Sequence, residues 1–132
     1  MRGAFAPNQK VDNVGNCTIS APKGPVHVLS QSPHMHLLGV NAKLVLTRNG
    51  QDTVLHDAPF SFDDRRSYPF DPQLILQTGD KVTTTCTYQN TTAKTVTFGE
   101  NTENEMCFNF VLYYPMGGMS CQGGGLGLPP SL

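Results

Sequence analysis

The stretch NAKLVLTRNGQDTVLH, residues 41–56, does more than any other to limit what this chain can fold into. Ala42, Leu44 and Leu46 alternate with Lys43, Val45 and Thr47, the period of a strand. Asn49-Gly50 then breaks the alternation with a dipeptide that tolerates the positive φ angles of a two-residue hairpin turn. Further runs rich in Thr, Val and aromatics follow at PFSF (59–62), QLILQTGD (73–80), KVTTTCTYQN (81–90), KTVTFG (94–99) and EMCFNFVLYY (105–114). No segment keeps a 3.6-residue apolar period over three turns, and 13 glycines and 10 prolines punctuate the 132 residues. The expectation is an all-β chain, an antiparallel β-sandwich or jelly roll. Residues 1–121 would form one domain, its first thirty an irregular approach with short strands at most. Residues 122–132, QGGGLGLPPSL, would be a flexible tail.

Charge and cysteine content narrow the function. Nine Lys and Arg against ten Asp and Glu leave a net charge of −1, which gives no electrostatic basis for nucleic acid or an acidic membrane surface as partner. No run approaches the ~18 apolar residues of a membrane span. There is no P-loop, dinucleotide fingerprint or GxSxG. The four cysteines, Cys17, Cys86, Cys107 and Cys121, lack CxxC or CxxH spacing. They point to disulfides in an oxidising, secreted or periplasmic setting, with three pairings open. The N-terminus lacks the apolar run of a signal peptide, and a chain cut from a longer protein is expected.

SPHMHLLG, residues 32–39, carries the chemistry. In an extended chain His34 and His36 share a face and Met35 points away. Two imidazoles need a third ligand. The strand EMCFNFVLYY places Met106, Phe108, Phe110, Leu112 and Tyr114 on one face and Cys107, Asn109, Val111 and Tyr113 on the other. Met106 alone reads most simply as core filler. Together with the two histidines it forms a mixed imidazole–thioether set that suits copper, whereas zinc or non-haem iron would be expected to take a thiolate or carboxylate.

HMHLLG, TGDKVTTTCTYQN and FGENTENEMCFNFVLYYP resemble the C-terminal domain of the copper type II ascorbate-dependent monooxygenases. That family includes the peptidylglycine α-hydroxylating and dopamine β-monooxygenases and many bacterial relatives, among which this chain is expected to fall. The likeness runs from Cys17 to Cys121. It implies a jelly roll in which His34, His36 and Met106 hold the substrate-side copper and are the catalytic ligands. It also implies disulfides Cys86–Cys107 and Cys17–Cys121, ascorbate as reductant and dioxygen as co-substrate. A second copper, held by three histidines, would lie in an N-terminal partner domain. Only His27 and His56 remain here beyond the ligand pair, so that domain is missing from this chain, which alone should bind copper but hydroxylate poorly.

The chain departs from the peptide-amidating branch. Ser32 stands where that branch carries an arginine for the substrate carboxylate, and Phe110 where it carries a tyrosine. A peptide ending in glycine is therefore not the expected substrate; Phe108 and Phe110 would suit a more apolar small molecule or peptide, and read equally well as core residues. Other residues have plain readings. His27 is expected to be an ordinary strand histidine and His56 to face solvent. Glu100, Glu103 and Glu105 read as a solvated loop, and Asp63 to Arg66 as a solvated turn with internal charge pairing. Gly39 marks a close backbone approach or a bulge. Asn16 and Asn90 fit the glycosylation pattern. Rival functions are a non-catalytic copper-binding module, a cupin-type metalloenzyme and a recognition β-sandwich.

Overall fold

The computed structural model describes residues 4–122. Strands β1 (Ala4–Phe5) and β8 (Val96–Thr97) form a short pair. β10 (Ser120–Gln122), β2 (Lys10–Ser20), β7 (Lys81–Gln89), β4 (Gly39–Arg48) and β5 (Gln51–Pro59) form a five-stranded sheet in that order. β6 (Tyr68–Leu76), β3 (Val26–His34) and β9 (Phe108–Tyr114) form a three-stranded sheet with β3 central. Every ladder is antiparallel. The fold is an all-β antiparallel sandwich.

Its core shows why. Cys17, Ile19, Leu44, Leu46 and Val82 from the large sheet pack with Val26, Val28, Leu76, Val111 and Tyr113 from the small one. Each is the inward member of an alternating strand, so the two inner faces form a single apolar layer. A second cluster, Phe5, Met35, Ala42, Cys86, Tyr88, Val96 and Cys107, fills one end of the sandwich. Cys17–Cys121 joins the neighbouring strands β2 and β10, with Cα atoms 5.2 Å apart, and Cys86–Cys107 ties β7 of the large sheet to the residue before β9 of the small one, with Cα atoms 5.9 Å apart.

The β4–β5 hairpin turns on Asn49 (φ 53°) and Gly50 (φ 76°), as the dipeptide predicts. Other stretches differ from expectation. The first thirty residues contain the 11-residue β2 and the start of β3. The inward positions of β2, Gly15, Cys17 and Ile19, are mostly small, so the apolar signal was faint. PFSF is no strand: β5 ends at Pro59, and Phe62–Asp64 forms a single 3-10 turn. KTVTFG contributes only the two residues of β8. The Gly/Pro tail lies outside the described residues apart from Gln122.

One irregularity sets which way the histidines face. β3 shifts register between Val28 and Ser30 against both neighbours. Before the bulge the even residues Val26 and Val28 are buried; after it the odd residues Gln31, Pro33 and Met35 are. A one-residue slip exchanges the faces of a strand. The bulge thereby turns Ser32 and His34 away from the core.

Candidate metal centre

His34 is the last residue of β3, and Gly39 opens β4 in the opposite sheet. Residues 35–38 therefore cross one end of the sandwich. Met35 is the plug of this crossover, fully buried among Cys86, Tyr88 and Cys107. A Cβ on Gly39 would stand 2.7 Å from Met35 Cβ and 2.8 Å from its Sδ, so only glycine lets the plug seat. Gly39 also lies at a register shift of the β4–β7 ladder. With Met35 inward, the His34 and His36 rings lie 5.3 Å apart between centroids, nearly perpendicular.

The same crossover is gripped from the segment before β9. The Glu105 carboxylate is 1% exposed; its Oε1 accepts the His36 N–H at 2.8 Å and its Oε2 the Leu38 N–H at 2.9 Å. His36 Nδ1 lies 3.0 Å from the Asn104 carbonyl. A carbonyl can only accept, so Nδ1 carries the proton and the Nε2 lone pair is free for a ligand. Burial foremost, then the charges of His36 and Arg65, hold His34 below the ordinary imidazole value and favour its neutral, ligating form. Burial raises the Glu105 carboxyl above its ordinary value despite hydrogen bonds from the Leu38, His36 and Met106 amides.

Met106 follows Glu105 directly and is half-buried. β9 pairs with β3 in the register Ser32↔Phe110, Pro33↔Asn109, His34↔Phe108. The ladder ends at His34↔Phe108, two residues short of His36 and Met106. Two supports hold the backbone at Met106: Tyr88 Oη donates to the Met106 carbonyl at 2.5 Å, and Cys107 is bonded to Cys86 in β7. Burial keeps the Tyr88 hydroxyl protonated far above its ordinary range.

The outer face around His34 has two unlike sides. On β9, Phe108 and Phe110 stack at 5.9 Å, and Phe110, 39% exposed, comes to 5.8 Å from His34. These phenylalanines are outside the core, while Cys107, Asn109, Val111 and Tyr113 are buried. On the β6 side a cavity of about 370 Å³ is lined by Ser32, Pro33, His34, Arg65, Arg66 and Ser67. A larger hollow of about 540 Å³, bordered by Leu37, Leu38, Thr97 and Asn104, contains neither His34 nor Met106.

The remaining candidates lie elsewhere. His27 stacks on Tyr114 at 4.6 Å, and His56 is half-buried against Tyr68 at 4.5 Å rather than facing solvent. Of the acidic trio, Glu100 and Glu103 are exposed, but Glu105 is the buried clamp on the histidine crossover. Asn90 is fully buried; its amide donates to the Phe5, Ala6 and Lys94 carbonyls, so its sequon is inaccessible in the folded chain. Among the described residues no three His, Cys, Asp or Glu side chains are grouped to hold an ion.

The family model for the copper type II ascorbate-dependent monooxygenase C-terminal domain matches residues 2–123. The chain belongs to this family. The copper monooxygenase domain is 31% identical over 113 residues to a DBH-like monooxygenase protein 1 of Gallus gallus, 76% of this chain and 18% of that protein. It is 32% identical over 103 residues to the dopamine beta-hydroxylase of Bos taurus, covering 75% and 17%. With the tyramine beta-hydroxylase of Caenorhabditis briggsae it shares 29% over 117 residues, covering 83% and 20%. The domain thus spans about a fifth of the length of these curated relatives. Its paired cysteines fit an oxidising compartment, and among the described residues no helix is long and apolar enough to cross a membrane.

Proposed function

We propose that this domain holds, through His34, His36 and Met106, the copper at which a monooxygenase hydroxylates a substrate C–H bond with dioxygen and ascorbate. The donor set fits that metal. An imidazole nitrogen binds a metal at about 2 Å, so rings 5.3 Å apart leave room for one shared ion. The thioether is soft and favours Cu(I), while imidazole serves both oxidation states. The bound copper would supply one-electron chemistry toward dioxygen.

The protein's own share is positional. Asn104 fixes the tautomer of His36, and Glu105 ties the His36 and Leu38 amides to the residue preceding Met106. Ligands and their orienting partners therefore move as one piece, which is how such partners tune a metal site. Phe108 and Phe110 offer an apolar wall for the substrate beside His34. The second, three-histidine copper would come from another domain of a longer, secreted or periplasmic protein. The observation that supports this reading is the Glu105 clamp: its carboxylate accepts the His36 amide, and Met106 is the next residue in the chain.

The test is ascorbate-dependent hydroxylation by the full-length protein carrying Met106→Ile. Loss of hydroxylation with an unaltered fold supports the reading. Undiminished turnover would leave Met106 a packing residue and the domain a binding module.

A further inference from the structure

The two sides of the groove at His34 differ in chemistry, and one feature of the cationic side is unexplained by folding. Arg66 is neutralised: its guanidinium bonds both oxygens of Asp64, the closest contact at 2.6 Å. Arg65 is different. It is exposed, it forms no ion pair with any described carboxylate, and its guanidinium lies over the Phe62 ring at 4.4 Å. Phe62 in turn meets the His36 ring edge-on at 5.9 Å. A shelf of Phe62 thus positions one uncompensated cation at the mouth of the candidate metal centre. Asp63, the remaining acid of this loop, is exposed and does not line the cavity. Ser32 and Ser67, joined by a hydrogen bond of 2.6 Å, complete the polar floor.

We infer that the substrate of this site is an apolar monoanion, a carboxylic acid with an aromatic or aliphatic body, whose carboxylate pairs with Arg65 while the body lies along Phe108 and Phe110. The inference rests on the proposed copper site and names its substrate class. A planar guanidinium already stacked on a ring is pre-organised for carboxylate oxygens. One free positive charge matches one negative charge; a dianionic phosphate would leave a charge unpaired. His34 ends the central strand β3, with the Arg65 loop toward β6 on one flank and the phenylalanines of β9 on the other. A molecule that touches both must pass over His34. A protonated amine would meet Arg65 as a like charge.

The test titrates the chain, without added metal, with 3-phenylpropanoate, its neutral amide and 2-phenylethylamine, following arginine Nε–H and phenylalanine ring NMR signals. The acid is expected to bind about 10-fold or more tighter than the other two, the loss expected for one charge-assisted pair. Arg65→Gln, at an exposed position, should abolish the preference, and Arg66→Gln should retain it. Equal binding of the amine or the amide, or a preference that survives Arg65→Gln, would overturn the inference. Parallel Cu(I) titrations separate the two ideas. Copper bound without preference for the acid overturns the substrate class alone. Preference for the acid without copper binding supports the anion groove and overturns the copper centre.

Discussion

Glu105→Gln perturbs the clamp with almost no change in volume. The carboxylate accepts the His36 and Leu38 N–H groups on separate oxygens, at 2.8 Å and 2.9 Å, in a site that is 1% exposed. Glutamine keeps one acceptor. Its amide then faces the second N–H as donor against donor, leaving a buried group unpaired at a cost of about 1–3 kcal/mol. The surviving bond also loses its charge assistance, while relief from burying a charge offsets part of the loss. The net is about 2 kcal/mol, or about 6 °C in Tm for a domain of this size. Because His36 supplies one of the two amides, Cu(I) affinity should fall about 10-fold as well. Thermal unfolding by circular dichroism and Cu(I) competition against a chromophoric chelator read the two effects. A variant that melts within about 1 °C of wild type and holds Cu(I) equally well would refute the idea that Glu105 positions the histidine crossover.

Gly39→Ala should cost about 1–3 kcal/mol in denaturant unfolding, because its Cβ meets Met35 Cβ at 2.7 Å; wild-type stability would show that the Met35 plug shifts freely. Replacing Cys86 and Cys107 together by serine opens a link of 21 residues separation, costing about 3 kcal/mol in the loop-entropy account. It should weaken Cu(I) binding too, since the backbone after Met106 loses its anchor, and unaltered binding would contradict that role. Arg48 bonds both oxygens of the buried Asp80 at 2.8 Å and 2.6 Å. Burial alone would raise the Asp80 carboxyl, but hydrogen bonds from Arg48 and the Gln77 amide and the guanidinium charge hold it below 3.8. Its stabilisation is therefore full above the unfolded value and fades as pH falls through the depressed folded one. Arg48→Met should cost about 2 kcal/mol at neutral pH and flatten the acid limb of a urea midpoint against pH profile. An unchanged limb would mean that Asp80 is not the group responsible.

Much of the fold was legible in the residues. Alternation over Ala42–Thr47 and the Asn49-Gly50 turn specify their hairpin, and period two separates Phe108 and Phe110 from Cys107 and Asn109. Likeness to the family supplied the disulfide pairing, which spacing left open. The rest was hidden for identifiable reasons. β3 carries Pro33 and a bulge, both of which blur alternation; Pro33 is tolerated because β6 has already left that end of the strand. A bulge is a property of two neighbours at once, so the face taken by His34 could not be read from β3 alone. Glu105 looked like one of three loop acids, and only the tertiary fold brings the His36 and Leu38 amides to it. Arg65 and Arg66 are adjacent in sequence and alike in type. Their difference lies in what each touches, Phe62 for one and Asp64 for the other.

The central claim is a copper held by two imidazoles and one thioether, and X-ray absorption at the copper edge tests it most directly. The chain would be loaded anaerobically with one equivalent of Cu(I), as wild type and as Met106→Ile. The account predicts two imidazole nitrogens and one sulfur in the wild type, with the sulfur absent from the variant. A nitrogen-only shell in the wild type, or no retained copper, would contradict it and return Met106 to the packing of the β9 strand.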